Sequence, residues 1–397
     1  MTTLSKRIER VEPSPTLAVS ARAKAMQEEG IDVVSFGAGE PDFDTPEPIR
    51  EAAKSAIDAG KTRYTPTPGL PKLRAAIADD YQRRGRTVEA DEVVVTVGGK
   101  QALYNATQVL FEEGDKVLVP APYWVSYPAQ LHLCGATPVA VETSVDGGYR
   151  LDPKTLRQRL ENTPEARGLI LCSPSNPTGA TYTTGELEAL AEVLMDYPQV
   201  TVFFDAIYDR LYYEGDIAPD LLATAPQLED RVITFNGFSK TFAMTGWRLG
   251  YAIGPTEVID AMGTLQSQST SNATSFAQYG AIEALQLDDA VIESRRDAFE
   301  RRRDLIVSGL DAIDGVDCPS PSGAFYVFPD FSAYTEGIST PFDDDMALTE
   351  YLLEQAQVAV VPGSAFGAPG GLRLSYAMDS ETIQKGVDRI TSAIDDV

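Results

Sequence analysis

Histidine is almost absent: His132 is the only one in 397 residues. A metal site built from several histidines is excluded, and any triad that runs through histidine depends on that one side chain. Cysteine is nearly as scarce. Cys134, Cys172 and Cys318 show neither CxxC nor metal-ligand spacing, and read as free thiols of a reducing cytosol. Basic residues are few, 33 Lys and Arg against 59 Asp and Glu, for a formal net charge of -26, and lysine is the rarer cation. That balance opposes binding to nucleic acid, whose phosphates need a basic surface, and to an anionic membrane. No apolar run approaches the roughly 18 residues of a membrane span. The stretch Met1–Glu12 is charged and lacks the apolar centre of a signal peptide. The expected compartment is the cytoplasm. No G-x-G-x-x-G follows a strand, which disfavours a nicotinamide dehydrogenase, and the phosphate-loop pattern GxxxxGK[ST] is not met.

The acid is spread along the chain instead of being gathered in one tail. We read it as adaptation to high salt, where screening removes the self-repulsion of a strongly anionic surface. Dialysis from concentrated salt to about 0.1 M, where the Debye length is about 10 Å against about 3 Å at 1 M and screening weakens, should cost the protein secondary structure when followed by circular dichroism. A fully folded chain in dilute buffer sinks this reading.

What remains is globular. Hydrophobic residues make up 43% and charged residues 23%, and the length suits two domains. Short β-branched runs alternate with helical patterns through the middle of the chain. EVVVTV at Glu92–Val97 is followed by Gly98-Gly99, then by Ala102, Leu103, Ala106, Val109 and Leu110 on one helical face. Further strands are expected up to Val119, over Thr137–Val141, Leu169–Leu171, Val200–Phe204 and Val232–Phe235. Near-continuous apolar strands separated by helices imply a mostly parallel sheet covered on both faces, with ligands at the carboxyl ends of its strands. The last third differs. A charged helix is expected over Ala290–Leu310, then short strands at Ala324–Phe328, Val358–Val361 and Leu372–Tyr376, and a final helix. The expected division is an N-terminal arm and part of a small domain over 1–46, a large α/β domain over 47–288, and a smaller α+β domain over 289–397. His132 and the run Arg301–Arg303 read as a helix residue and a solvated basic face.

Chemistry gathers in Asn236–Arg248, NGFSKTFAMTGWR. A strand ends and a Gly/Ser-rich turn presents Lys240. A lysine held in an apolar segment loses its ammonium proton more easily and becomes the nucleophile that Schiff-base chemistry requires. By itself a lysine beside a serine is more often a solvated surface residue.

Other motifs make the pattern specific. In order, they are AGEPDF at Ala38–Phe43, YTPTPG at Tyr64–Gly69, GGKQAL at Gly98–Leu103, PYW at Pro122–Trp124, SNPTG at Ser175–Gly179, DAIYD at Asp205–Asp209, SKTFAMTGWRLGY at Ser239–Tyr251 and GLRLSY at Gly371–Tyr376. Together they resemble the class I aminotransferases of fold type I, over nearly the whole chain, and most closely the aspartate aminotransferase subgroup of bacteria and archaea.

The resemblance implies that pyridoxal 5′-phosphate is held covalently on Lys240. Asp205 would face the pyridinium nitrogen and keep it protonated; its bland alternative is a helix N-cap. Asn176 and Tyr208 would hydrogen-bond the cofactor's 3-oxygen, although SNPTG is also rich in turn formers. The Asn176–Pro177 bond is a candidate cis peptide. Trp124 would stack on the ring, or else be a core tryptophan. Gly99, Lys100 and Gln101 open a helix and would offer backbone N–H groups to the phosphate, joined by Arg248, Ser239 and, from a neighbouring subunit, Tyr64. Arg248 and Tyr64 could equally be a surface ion pair and a packed aromatic. One position departs from many relatives: Gly237 stands where they carry a hydroxyl that donates to phosphate. Arg373, between Leu372 and Leu374, would grip the substrate α-carboxylate together with the backbone at Gly39, or else be an exposed strand charge. Trp124 and Asn176 would also touch substrate, and Lys100 would face the far carboxylate of a dicarboxylic substrate.

The function so implied is ping-pong amino transfer from an L-amino acid, aspartate in the first place, to a 2-oxo acid such as 2-oxoglutarate. It would run in a homodimer with shared active sites, gated by the small domain, with no metal. Aromatic amino acids, alanine and prephenate stay open as substrates. So do carbon–sulfur lyase and aminocyclopropane-carboxylate synthase chemistry on the same scaffold, and a non-catalytic regulator that keeps the fold.

Overall fold

A computed structural model describes residues 4–13, 15–337 and 340–397; Met1 to Thr3 of the charged N-terminal stretch lie outside them. Among the described residues the strands are, in chain order, β1 (Val34–Ser35), β2 (Val93–Thr96), β3 (Lys116–Ala121), β4 (Thr137–Glu142), β5 (Ala166–Cys172), β6 (Thr201–Asp205), β7 (Val232–Gly237), β8 (Gly250–Ile253), β9 (Tyr326–Val327), β10 (Val358–Ala359), β11 (Val361–Pro362) and β12 (Leu372–Ser375). The main sheet has the order β2-β8-β7-β6-β5-β3-β4. Strands β7, β6, β5, β3 and β4 pair in parallel, and β8 is antiparallel to both β7 and β2. The class expected from the sequence, a mostly parallel sheet flanked by helices, is the one observed.

Both faces are covered, which is why β2 and β7 are buried at every position. Helix Thr184–Met195, started by a capping box between Thr183 and Glu186, packs Leu187, Leu190 and Leu194 with Leu169, Leu171, Val202 and Phe204. Helix Gly99–Leu110 packs Ala102, Leu103 and Ala106 on the other face, against Val94, Phe203 and Phe235. The six co-directed strands bring their carboxyl ends to one edge. Strand β8, which the sequence reading missed, runs the other way, so its first residues start at that same edge. The carbon count decides what fits there: a Cβ on Gly250 would stand 2.2 Å from the Gly99 nitrogen, so only glycine lets β8 pass beneath the helix start.

The remaining strands form two small sheets, β11-β12-β9, antiparallel, and β1-β10, parallel. The pairing of β1 with β10 carries the N-terminal segment onto the C-terminal third, and Phe36 joins the core of Phe299, Phe325, Leu372 and Leu374. Three expectations need correction. The strand expected over Ala324–Phe328 shrinks to β9, because Ala324 takes φ 59, a left-handed backbone that ends extended pairing. The run Val358–Val361 splits into β10 and β11, which pair in different sheets; an apolar run does not reveal that its halves have different partners. Arg301–Arg303 is not a uniformly solvated face. Arg302 makes two 2.8 Å bonds to Asp42 and lies over the Phe43 ring, and Arg303 lies over Tyr213. These contacts tie the segment after Gly39 to helix Asp289–Leu310.

Candidate active site

Where the strand ends converge lies a cavity of about 310 Å³, within the usual range for a small-molecule site. It is lined by Gly39, Gly99, Lys100, Trp124, Asn176, Asp205, Tyr208, Ser239, Lys240, Arg248 and Arg373 of the residues singled out in the sequence. Two are elsewhere. Tyr64 is 91% exposed and away from this cavity. Gln101 turns outward: its Oε1 accepts from the Val97 N–H, its Nε2 donates to Thr270, and its N–H donates to the Gly98 carbonyl.

Lys240 follows β7 in a turn, and its Nζ donates to the Gly39 carbonyl while standing 5.9 Å from the Tyr208 ring and 5.8 Å from that of Phe325. Desolvation brings its amine down to about 8, against the pull of Glu40. Asp205 ends β6. No helix starts there, so it is not an N-cap; its Oδ1 accepts the Ile207 N–H at 3.2 Å and its Oδ2 accepts the Tyr127 hydroxyl at 2.7 Å. Burial pushes its carboxyl up to about 6, and the Tyr127 bond opposes that rise. The segment between Asp205 and Lys240 is braced from behind. Asn236 donates to Asp209 at 2.8 Å and to Tyr81 at 3.2 Å, and Arg84 pairs with both Asp80 and Asp209.

The start of helix Gly99–Leu110 forms one end of the cavity. Gly98 has φ 82, a turn open to glycine, and a Cβ there would stand 2.6 Å from Arg248 Nη2. The backbone N–H groups of Gly99 and Lys100 have no backbone acceptor among the described residues. With the Arg248 guanidinium beside them they make an anion cradle. Lys100 Nζ lies 4.8 Å from the Trp124 ring centre, and burial, then Arg248, lowers its pKa. Gly237 has a local cause: a Cβ there would meet the Gly250 Cα and the Leu249 oxygen at 3.0 Å, so the close strand crossing leaves no room for a hydroxyl side chain without a shift.

Arg373 sits on β12 with Leu372 and Leu374 turned into the core and its own side chain turned to the cavity. It is 3% exposed, so it is no surface charge. It donates to the Gly37 carbonyl at 2.8 Å and to Asn176 Oδ1 at 3.2 Å, while its Nε has no partner. No carboxylate among the described residues pairs with it. The Asn176–Pro177 bond is cis. Tyr208 meets Tyr326 hydroxyl to hydroxyl at 3.0 Å.

The sequence reading passed over Tyr127, Cys172, Tyr326 and Gly37, all of which line the cavity. Tyr127 lies three residues past PYW and was within reach of a motif reading. Cys172, given the bland reading with the other thiols, becomes a cavity residue only because β5 and β6 place it opposite Asp205. No cluster of three or more His, Cys, Asp or Glu that could hold a metal occurs among the described residues, nor any helix long and apolar enough to cross a membrane.

Comparison with known proteins gives the site its context. Residues 31–390 match the family described as aminotransferase class I and II. The chain is 48% identical over 394 residues to the aspartate/prephenate aminotransferase of Cereibacter sphaeroides, covering 98% of each protein. It resembles the crystal structure of the aspartate aminotransferase from Rhizobium meliloti with a TM-score of 0.94 at 42% identity, covering 100% of this chain and 99% of that one. For the Thermus thermophilus aspartate aminotransferase with maleate the TM-score is 0.92 at 44% identity, covering 99% and 100%.

Proposed function

The chain belongs to the class I and II aminotransferases, and from that premise we propose that it moves the amino group of L-aspartate to 2-oxoglutarate with pyridoxal 5′-phosphate held on Lys240. The observation that carries this reading is one of charge. A chain of net charge -26 lines a single cavity with Lys100, Lys240, Arg248 and Arg373 against one carboxylate, Asp205. Such a site takes anions, and a phosphate and two carboxylates are what the cofactor and a dicarboxylic amino acid present. Maleate, named with the similar Thermus structure, is itself a dicarboxylate.

The residues fit pyridoxal phosphate. The unspent N–H groups of Gly99 and Lys100, with Arg248 and Ser239, would hold its phosphate; Gln101 would stand behind them, since its N–H is already used. Asp205 would face the ring nitrogen, Asn176 and Tyr208 the 3-oxygen, and Trp124 the ring face. When bound, the cofactor supplies the electron sink that lets the Cα–H bond of an amino acid break. Arg373, with Gly39 and Asn176, fixes the substrate α-carboxylate in a planar fork and so sets which Cα bond is presented. The freed Lys240 Nζ takes the α-proton and later returns it, acting as base and then acid. Asp205 would stay ionised and face the ring nitrogen. Lys100 pairs with the far carboxylate. A keto acid leaves, a second enters, and the same groups act in reverse order, which gives ping-pong kinetics.

The exposed Tyr64 ring supports a homodimer in which it reaches the neighbouring subunit's phosphate. The 1–46, 47–288 and 289–397 division, with the site between large and small domains, and a cytoplasmic location complete the reading.

Its test is a visible spectrum of the protein loaded with pyridoxal phosphate. The band of the Lys240-bound cofactor should collapse on adding aspartate and return on adding 2-oxoglutarate. A band that responds only to another amino acid discards aspartate. In Lys100→Ala the preference for aspartate over alanine, as a ratio of kcat/KM, should drop by roughly 10- to 100-fold, the worth of one charged hydrogen bond. Unchanged selectivity removes Lys100 from the specificity pocket.

A further inference from the structure

Asp205 stands at the floor of the cavity without a cationic hydrogen-bond donor: among the described residues its two oxygens receive only the Ile207 N–H and the Tyr127 hydroxyl. A carboxylate has about four acceptor positions, so two remain for whatever enters the cavity. The Ile207 bond is local, two residues along the chain, and is what any aspartate before a turn would make. The Tyr127 bond is different. It reaches across the sheet from the first turn of helix Ser126–Cys134, which follows β3, over the end of β5 to the end of β6.

That reach is built. Tyr127 is 3% exposed, and its ring meets Trp124 edge to face at 5.4 Å. Between β3 and β6 lies Cys172, the β5 residue paired in register with Asp205. The Cys172 thiol is half-buried, contacts the Tyr127 hydroxyl and donates to the Pro174 carbonyl at 3.4 Å. The titratable groups facing Asp205 are therefore Tyr127, Cys172 and, across the cavity, Lys240. Burial and the neighbouring carboxylate hold the Tyr127 phenol well above its ordinary pKa, so it remains a donor at any working pH.

We propose that Tyr127 is a positioning residue for amino transfer: its hydroxyl aims Asp205 and keeps it the weaker base, so that the proton shared with the cofactor's ring nitrogen stays on the nitrogen. The physical reason is competition for one proton. A buried carboxylate without donors holds a proton tightly and would leave the ring nitrogen neutral, and a neutral ring is a poorer electron sink. A donor to the ionised carboxylate reverses that order. The consequence for turnover rests on the proposed pyridoxal-phosphate reading; the bond between Tyr127 and Asp205 does not.

The test uses Tyr127→Phe, which removes one oxygen from a ring that keeps its packing, and has two arms. In the cofactor-free protein, carboxyl ¹³C resonances are titrated and Asp205 is assigned by its loss in Asp205→Asn. The Asp205 midpoint should move up by roughly one pH unit or more, since a hydrogen bond to a charged group is lost. In protein loaded with cofactor carrying ¹⁵N in its ring, the nitrogen resonance should shift from the protonated toward the neutral position, with kcat at least about tenfold lower and KM for aspartate little changed. An Asp205 midpoint unmoved in the first arm overturns the proposal, whatever the protein's reaction. If the midpoint moves but the ring nitrogen remains as protonated as in the parent, the catalytic half is overturned. Should the parent itself bind no cofactor, the proposed function has failed and the first arm still decides whether Tyr127 governs Asp205.

Discussion

Lys240→Ala should lower turnover by a factor on the order of 10⁴ or more, because one change removes both the covalent anchor and the base. Part of that magnitude follows from the environment, the rest from the loss of the covalent anchor. A lysine with an ordinary value near 10.5, brought down to about 8, carries about 300 times more free amine at neutral pH. No other lysine stands in for it. Among the described residues Lys100 is the only other one lining the cavity, and its Nζ sits over Trp124 beside the anion cradle. The variant should stay folded, since the side chain's one hydrogen bond goes to the Gly39 carbonyl. Single-turnover spectroscopy with aspartate is the measurement. The visible band of the Lys240-bound cofactor should vanish along with the α-proton transfer, and activity within tenfold of the parent would remove Lys240 from its role.

Arg373 should show activity and stability moving in different directions. It is a buried guanidinium with carbonyl and amide oxygens for partners, an idle Nε, and the rings of Tyr326 and Phe366 at 4.8 and 5.1 Å. Desolvation lowers its pKa from the ordinary arginine value, a sign that the pocket holds a cation short of its anion. The substrate α-carboxylate would complete it. Arg373→Lys should reduce kcat/KM for aspartate by about 10² to 10³, because an ammonium cannot make the two parallel bonds of the fork; that corresponds to roughly 3–4 kcal/mol of a desolvated charge pair. Arg373→Leu should be as inactive or worse, yet its melting temperature should hold or rise, since an unpaired buried charge is replaced by an apolar group. A drop of several degrees with activity largely kept would make Arg373 a structural residue.

The main sheet was largely legible. Strands β2 to β7 overlap the apolar runs EVVVTV, VTVFF and their neighbours, because a strand buried on both faces, as β2, β6 and β7 are, writes its burial into nearly every residue; the edge strand β4 is mostly uncovered. The eleven sequence-chosen residues of the cavity were legible for another reason. They fall in the motifs that resemble the class I aminotransferases, and nine of them lie at the ends of those strands or in the segments after them, while Gly39 and Arg373 come from the two small sheets' segments. What failed was pairing. GYAI of β8 looks like any short apolar run; its antiparallel direction, which brings Arg248 to the site, depends on partners far away in sequence. The halves of Val358–Val361 took different sheets for the same cause. Arg302 and Arg303 looked solvated because charge is local information, whereas Asp42, Phe43 and Tyr213 reach them only in the fold.

By itself, then, the sequence determined the class of fold, the lysine-bearing turn and the anionic character of the surface, since each depends on residue type and short-range order. Only the tertiary structure decided that Gly250 lets β8 slide under a helix start, that Cys172 lies opposite Asp205, and that Tyr127 reaches Asp205 across an intervening strand. Those depend on distances between segments that are remote along the chain, and a one-dimensional pattern carries no distance across a sheet.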